Sequence, residues 1–144
     1  MKAGDPITIL LADDDEDDRM MTQRAFERSR LANDFHSVAD GEELMDFLRR
    51  RGKYAGAPRP GLILLDLNMP RKDGREALNE IKSDPDLRKI PVVVLTTSSE
   101  EEDILKTYGL GASSYITKPV GFDSLAKIIG TLGTYWFQVV TLPQ

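Results

Sequence analysis

Three short runs of this 144-residue chain, "ITILLA" (7–12), "LILLDL" (62–67) and "IPVVVLTT" (90–97), are almost unbroken in isoleucine, leucine and valine. A strand with one face in water alternates apolar and polar side chains, and these runs do not. Continuous apolar character suits strands buried on both faces, as in a parallel sheet covered by helices. Two weaker runs, "FHSVA" (35–39) and "SSYIT" (113–117), bring the expected strands to five. Helix-forming stretches lie between them. "EDDRMMTQRAFERSRL" and "GEELMDFLRRR" are rich in helix formers, and "GREALNEIKSD" spaces Ala77, Leu78 and Ile81 on one face. "EEEDILKTYGLG" follows the N-cap candidates Ser98 and Ser99 and ends at glycine. Strand alternating with helix predicts βαβ units and an α/β sandwich. "KYAGAPRPG" (53–61) reads as a loose surface loop.

The length suits one domain with a real core and is too short for two. Apolar residues make up 40% and charged residues 30%, as in an ordinary globular protein. The net charge of −5 argues against non-specific binding to nucleic acid or an anionic membrane. The basic cluster "RRRGK" (49–53) reads as a solvated helix end rather than a phosphate patch. Cysteine is absent, which removes disulfide and thiolate chemistry and suits a reducing compartment. No run approaches the roughly 20 apolar residues of a membrane span, and "MKAGDP" is not a signal peptide. The expectation is a soluble, cytoplasmic protein.

Ligands of open α/β sheets bind beyond the carboxyl ends of the strands. Asp13, Asp14 and Asp15 follow the first run; Asp66 and then Asn68 end the third. The fourth closes on Thr96, Thr97 and Ser98, the fifth on Lys118 and Pro119. Two carboxylates from the first strand with Asp66 suit a small hard cation such as Mg²⁺, which takes oxygen ligands and keeps several waters. Three carboxylates against Mg²⁺ and Lys118 sum to about zero, so a phosphoryl dianion can approach. Without the metal the site carries about −2 and repels that dianion by several kcal/mol at an effective dielectric near 20. Phosphoryl chemistry here is expected to depend on the metal.

"LLADDDEDD", "LILLDLNMPRKDG", "IPVVVLTTSS" and "SSYITKP" together, in this order and spacing, resemble the receiver domain of two-component response regulators. The resemblance covers about residues 7 to 132 and implies a doubly wound, flavodoxin-like sandwich. Its parallel sheet would have the order 2-1-3-4-5 and five flanking helices. It implies that Asp66 accepts a phosphoryl group from a kinase phosphohistidine. Asp14 would bind Mg²⁺ directly and Asp13 through water, while Asn68 offers its backbone carbonyl. Lys118 would pair with the phosphoryl oxygens, before a cis bond to Pro119. Thr96 would be the switch hydroxyl and Tyr115 the aromatic that turns inward. Such a chain is a phosphoacceptor in a relay rather than an enzyme, beyond self-catalysed phosphotransfer and slow autodephosphorylation. Thr97 stands where many receivers have a smaller residue, which would slow small phosphodonors or water.

Within the acidic run, Glu16, Asp17 and Asp18 fall on a first helical turn, where the helix dipole favours negative charge; Asp15 is ambiguous. The expectation is one receiver domain over 1–144, with a helical extension from about 133. In the tail, Leu125, Ile128, Ile129, Leu132, Trp136, Val139 and Val140 keep helical spacing. "YWFQVV" adds three successive aromatics, more than one core can cover, so a homodimer through this tail is expected, with a fold-back over the domain as the alternative. The tail and "RKDGREALNEIKSDPDLRKIPVVVLTTS" resemble small regulators partnered with phytochrome-type histidine kinases. His36 reads as an edge side chain, Met20, Met21 and Met45 as packing, and Met69 and Pro70 as loop-shaping. Rival readings are a receiver-fold scaffold independent of phosphorylation, a haloacid-dehalogenase-like phosphatase using Asp13 and Asp15, and a flavodoxin-like binder. Asp17 stands where the phosphatase pattern needs threonine or valine, and an acidic first loop would repel the FMN phosphate.

Overall fold

The computed structural model describes residues 7–28, 33–96, 109, 111–112 and 114–117. The expected fourth helix, Thr97, Ser98, Lys118, Pro119 and the apolar tail lie outside the described residues, as do the side chains of Thr96 and Tyr115. Five strands, β1 (Ile7–Ala12), β2 (Asn33–Val38), β3 (Leu62–Leu65), β4 (Val92–Thr96) and β5 (Ser114–Thr117), form one sheet of order β2-β1-β3-β4-β5. Every pairing is parallel, with Ala12 opposite both Val38 and Leu65, and Thr96 opposite Thr117. The described helices are α1 (Glu16–Arg28), α2 (Gly41–Arg49) and α3 (Gly74–Ser83).

Period-two alternation sends successive residues of each central strand to opposite faces. Ile9, Leu11, Leu62, Leu64, Val93 and Leu95 pack with Ala25 and Phe26 of α1. Leu10, Ala12, Ile63, Leu65, Val92 and Val94 pack with Leu44 and Met45 of α2 and Ala77, Leu78 and Ile81 of α3. Both faces are therefore core, which is why the runs carry no polar alternation. A fully buried leucine or isoleucine contributes about 1.5–3 kcal/mol relative to its exposed state.

Some boundaries differ from the sequence reading. β3 stops at Leu65 because Asp66 opens a turn, in which the amide of Asn68 donates to Asp66 Oδ1 at 3.2 Å. β4 starts at Val92 because a 3-10 turn occupies Leu87–Lys89, closed by Ile90 N–H on the Leu87 carbonyl at 3.0 Å. β2 begins earlier, at Asn33, and keeps pairing with β1 along its whole length. The 53–61 segment is not loose. Gly52–Tyr54 form a 3-10 turn, the Tyr54 ring packs tilted against Phe47 with ring centres 5.2 Å apart, and the Arg59 guanidinium holds Asp86.

Candidate functional site: an acidic cluster at the carboxyl edge of the sheet

The two strands at the centre of the sheet deliver the acids. Past the paired residues Ala12 and Leu65, the ladder continues for one bond, from Asp66 N–H to the Ala12 carbonyl at 2.9 Å. On the other side of β1, Asp13 N–H donates to the Val38 carbonyl at 3.1 Å. Main-chain bonds therefore fix where both carboxylates leave the sheet. Carboxylate oxygens of Asp13, Asp14 and Asp66 all lie within 4.8 Å of one another. Asp13 is 1% exposed and Asp66 5%, whereas Asp14 is exposed and gives the cluster its solvent side. Among the described residues, this is the one group of three or more acids or histidines with spacing that suits a metal ion.

Local turns hold the carboxylates. Asp13 Oδ1 accepts from the amide of Asp15 at 3.0 Å, and Asp66 Oδ1 accepts from the amide of Asn68 at 3.2 Å. Each carboxylate is thus oriented by the chain two residues on. The amide of Gly74 bonds the Leu67 carbonyl at 2.9 Å, and a Cβ on Gly74 would lie 2.3 Å from the Asp66 carbonyl oxygen. Only glycine lets α3 start this close to the strand that carries Asp66.

Asp15, ambiguous in the sequence, has a defined place. Its Oδ1 accepts from the amides of Asp17 at 2.8 Å and Asp18 at 3.3 Å, the geometry of an N-cap for α1. Glu16, Asp17 and Asp18 form the first turn of α1, as expected. Two of the six acids therefore join Asp66, one caps and three line a helix start.

The other candidates divide. Asn68 is exposed beside the cluster. Thr96 and Tyr115 lie on adjacent strands, with Tyr115 opposite Val94 and Thr117 opposite Thr96. His36 pairs with Asp34 at 3.0 Å on the edge strand β2, away from the three acids. The basic "RRRGK" cluster is partnered: Arg49 with Glu80 at 2.9 Å, Arg51 with Asp46 at 3.1 Å, and Arg50 Nε with the Ala57 carbonyl at 2.9 Å. Sequence reasoning passed over Arg19, whose Nη1 donates to the Asp13 carbonyl oxygen at 2.8 Å. An arginine six positions after an acid carries no signal of that bond. No described helix is long and apolar enough to cross a membrane.

The family model for the response regulator receiver domain matches residues 9–130. Response regulator Rcp1 of Synechocystis is 43% identical over 142 residues, 99% of this chain and 97% of Rcp1. The Mn²⁺-bound crystal structure of Rcp1 superposes with a TM-score of 0.88 at 44% identity, covering 96% of this chain and 100% of that one. The structure of the phosphorylated cyanobacterial phytochrome response regulator RcpA gives 0.90 at 46% identity, covering 97% and 100%. Sheet order, acidic cluster and a match over most of the sequence agree, and the chain belongs to the response regulator receiver domain family.

Proposed function

We propose that this chain is a single-domain response regulator that accepts a phosphoryl group from a histidine kinase on Asp66, in a Mg²⁺-dependent reaction within a phosphorelay. The observation that carries the reading is the convergence of Asp13, Asp14 and Asp66 within 4.8 Å beyond the carboxyl ends of β1 and β3. Mg²⁺ coordination at about 2.1 Å spaces neighbouring oxygens by about 3 Å and opposite ones by about 4 Å. Carboxylate oxygens within 4.8 Å of one another are close to that span. Asp14, Asp66 and the Asn68 backbone carbonyl would hold the ion directly. When bound, the ion offsets the charge of three carboxylates and of the incoming phosphoryl group.

Asp66 supplies the nucleophile. One of its carboxylate oxygens attacks phosphorus in line while the N–P bond to the kinase histidine breaks. The electron pair stays on the imidazole nitrogen, which takes up a proton, and Asp66 becomes an acyl phosphate. The main-chain bonds to Ala12 and Val38 hold the reacting carboxylate and its neighbours in place, so reorganisation is small. By the family pattern Lys118 pairs with the phosphoryl oxygens. Thr96 moves to bond one of them and Tyr115 turns into the space released, so phosphoryl bonds made in only one state shift the population toward it.

The partner in this reading is a histidine kinase, with a phytochrome-type kinase favoured by the likeness to the phytochrome response regulator RcpA. The domain spans 1–144 with a core of about 7–132 and five helices in all, and the extension beyond 133 forms a homodimer. The chain works in the cytoplasm and binds neither nucleic acid nor membrane. Radiolabelled transfer from a charged kinase to wild type and Asp66→Asn, with and without Mg²⁺, tests the assignment. Label is expected on wild type with Mg²⁺ alone. Equal label on Asp66→Asn removes the assignment, and absence of label from every kinase tried favours a scaffold that works without phosphorylation.

A further inference from the structure

The turn that joins β1 to α1 has three residues, Asp13 to Asp15, and two of them are the acids of the proposed cation site. Such a turn leaves main-chain carbonyls beyond the reach of the sheet. Ala12 O is the last to be used, by Asp66 N–H. The Asp13 carbonyl comes next, past the last paired position of β1 with β3. It accepts Arg19 Nη1 at 2.8 Å. Arg19 also donates its own amide to the Asp15 carbonyl at 3.0 Å. One residue of α1 therefore straps both ends of the turn, the Asp15 end with its main chain and the Asp13 end with its side chain.

We propose that Arg19 is a positioning residue for the cation site, holding the Asp13–Asp15 turn so that the carboxylates of Asp13 and Asp14 stay directed at Asp66. This rests on the Mg²⁺ reading above. Asp13 is then held by its amide to Val38, its carbonyl to Arg19, and its Oδ1 to the Asp15 amide. Of these, only the Arg19 bond comes from a side chain outside the turn and the sheet, so it can be removed while the ladder and the acids themselves stay intact. Two effects oppose each other. A guanidinium near the site repels a divalent cation, while the strap lowers the cost of gathering the acids. A partly buried, charge-assisted bond to a carbonyl keeps its strength, whereas repulsion is screened because Asp14 opens the cluster to solvent. Preorganisation wins.

The measurement is Mg²⁺ affinity by calorimetry, with Mn²⁺ binding by electron paramagnetic resonance as a second probe, on wild type, Arg19→Met, Arg19→Lys and Asp14→Asn. Thermal unfolding without metal is followed in parallel. Arg19→Met is expected to bind Mg²⁺ about 10-fold more weakly, the lower end for groups that support metal ligands. Arg19→Lys keeps one charged donor and is expected to recover to within about threefold of wild type. A role confined to stability would lower the melting temperature and leave the affinity of the folded protein unchanged. Arg19→Met binding within twofold of wild type, or more tightly, overturns the proposal while the cation site stands, provided Asp14→Asn loses binding. Equal binding by wild type and Asp14→Asn overturns both.

Discussion

The main-chain N–H of Asp66 donates to the carbonyl of Ala12 at 2.9 Å, one position beyond the last paired residues of β3 and β1. A backbone bond between two central strands thus brings a carboxylate from residue 66 beside those of residues 13 and 14. The cluster is built by register, and no side chain had to search for it. That arrangement is costly without a cation. Two unit charges 4.8 Å apart repel by about 3 kcal/mol at an effective dielectric near 20, and by less where one is exposed, as Asp14 is.

Neutralising one acid should therefore stabilise the metal-free protein. Asp14→Asn is expected to gain about 1 kcal/mol in urea unfolding without Mg²⁺. Wild type should gain about 2.7 kcal/mol when Mg²⁺ reaches 100 times its dissociation constant, and Asp14→Asn should gain almost nothing at the same concentration. A mutant that keeps the full Mg²⁺ increment would show that Asp14 is no ligand.

Gly74 predicts a steric effect on the same loop. A Cβ there would sit 2.3 Å from the Asp66 carbonyl oxygen and 2.6 Å from Leu67 Cα, both backbone atoms that cannot rotate away. Gly74→Ala is expected to cost about 1–3 kcal/mol through overpacking. Phosphotransfer to Asp66 should slow further than the loss of folded protein explains. Ser83→Ala, at the exposed end of α3, should stay within about 0.5 kcal/mol of wild type.

What could be read in the sequence was what repeats along it. β1 was legible at both ends, because burial on two faces leaves a continuous apolar run with sharp polar limits. The acidic cluster was legible because Asp13, Asp14 and Asp66 each sit just after such a run. Contacts between distant polar side chains left no periodic trace. Nothing in "KYAGAPRPG" announces that Tyr54 reaches Glu43 or that Arg59 reaches Asp86, so an anchored segment read as a loose one. Asp15 was ambiguous because a cap and a ligand use the same carboxylate at the same chain position. The end of β3 and the start of β4 were overrun because the turn at Asp66 and Asn68 and the 3-10 turn at Leu87–Lys89 redirect the backbone while the apolar pattern continues through them.

Tyr54 gives a pH prediction. Its hydroxyl donates to Glu43 Oε1 at 2.6 Å, and burial, followed by that hydrogen bond, pushes its pKa well above the ordinary tyrosine value. A folded-state pKa raised above the unfolded one means that the folded state keeps a proton the unfolded state loses. Stability from this group is complete below about pH 10 and is lost as pH rises through the folded value. Tyr54→Phe should cost about 1–2 kcal/mol at pH 7, since the partner is charged. Its deficit against wild type should persist at pH 9, then shrink at the most alkaline pH the fold survives. Chemical denaturation at pH 7, 9 and 11 reads the difference, and a deficit that grows above pH 10 contradicts the mechanism.

Arg59 gives a prediction for the closure of the 53–61 segment. Its Nη1 meets Asp86 Oδ2 at 2.8 Å and its Nη2 meets the Asp86 carbonyl at 3.0 Å, so the fork joins this segment to the turn before β4. Asp86 is mostly exposed, and an ion pair of that kind contributes only about 0.2–1 kcal/mol to global stability. Local opening is a more sensitive readout, because the pair bridges two segments that have few other ties. Chymotrypsin cleavage after Tyr54 in native buffer reports it, since that bond is cut only when the ring leaves Phe47. Arg59→Ala is expected to be cut about 5-fold faster, matching roughly 1 kcal/mol of lost closure. Asp86→Ala keeps the carbonyl bond and should fall between Arg59→Ala and wild type. Cleavage of Arg59→Ala at the wild-type rate would place the closure instead in the ties on the α2 side, Tyr54–Glu43, Arg50 Nε on the Ala57 carbonyl and the Tyr54 ring against Phe47.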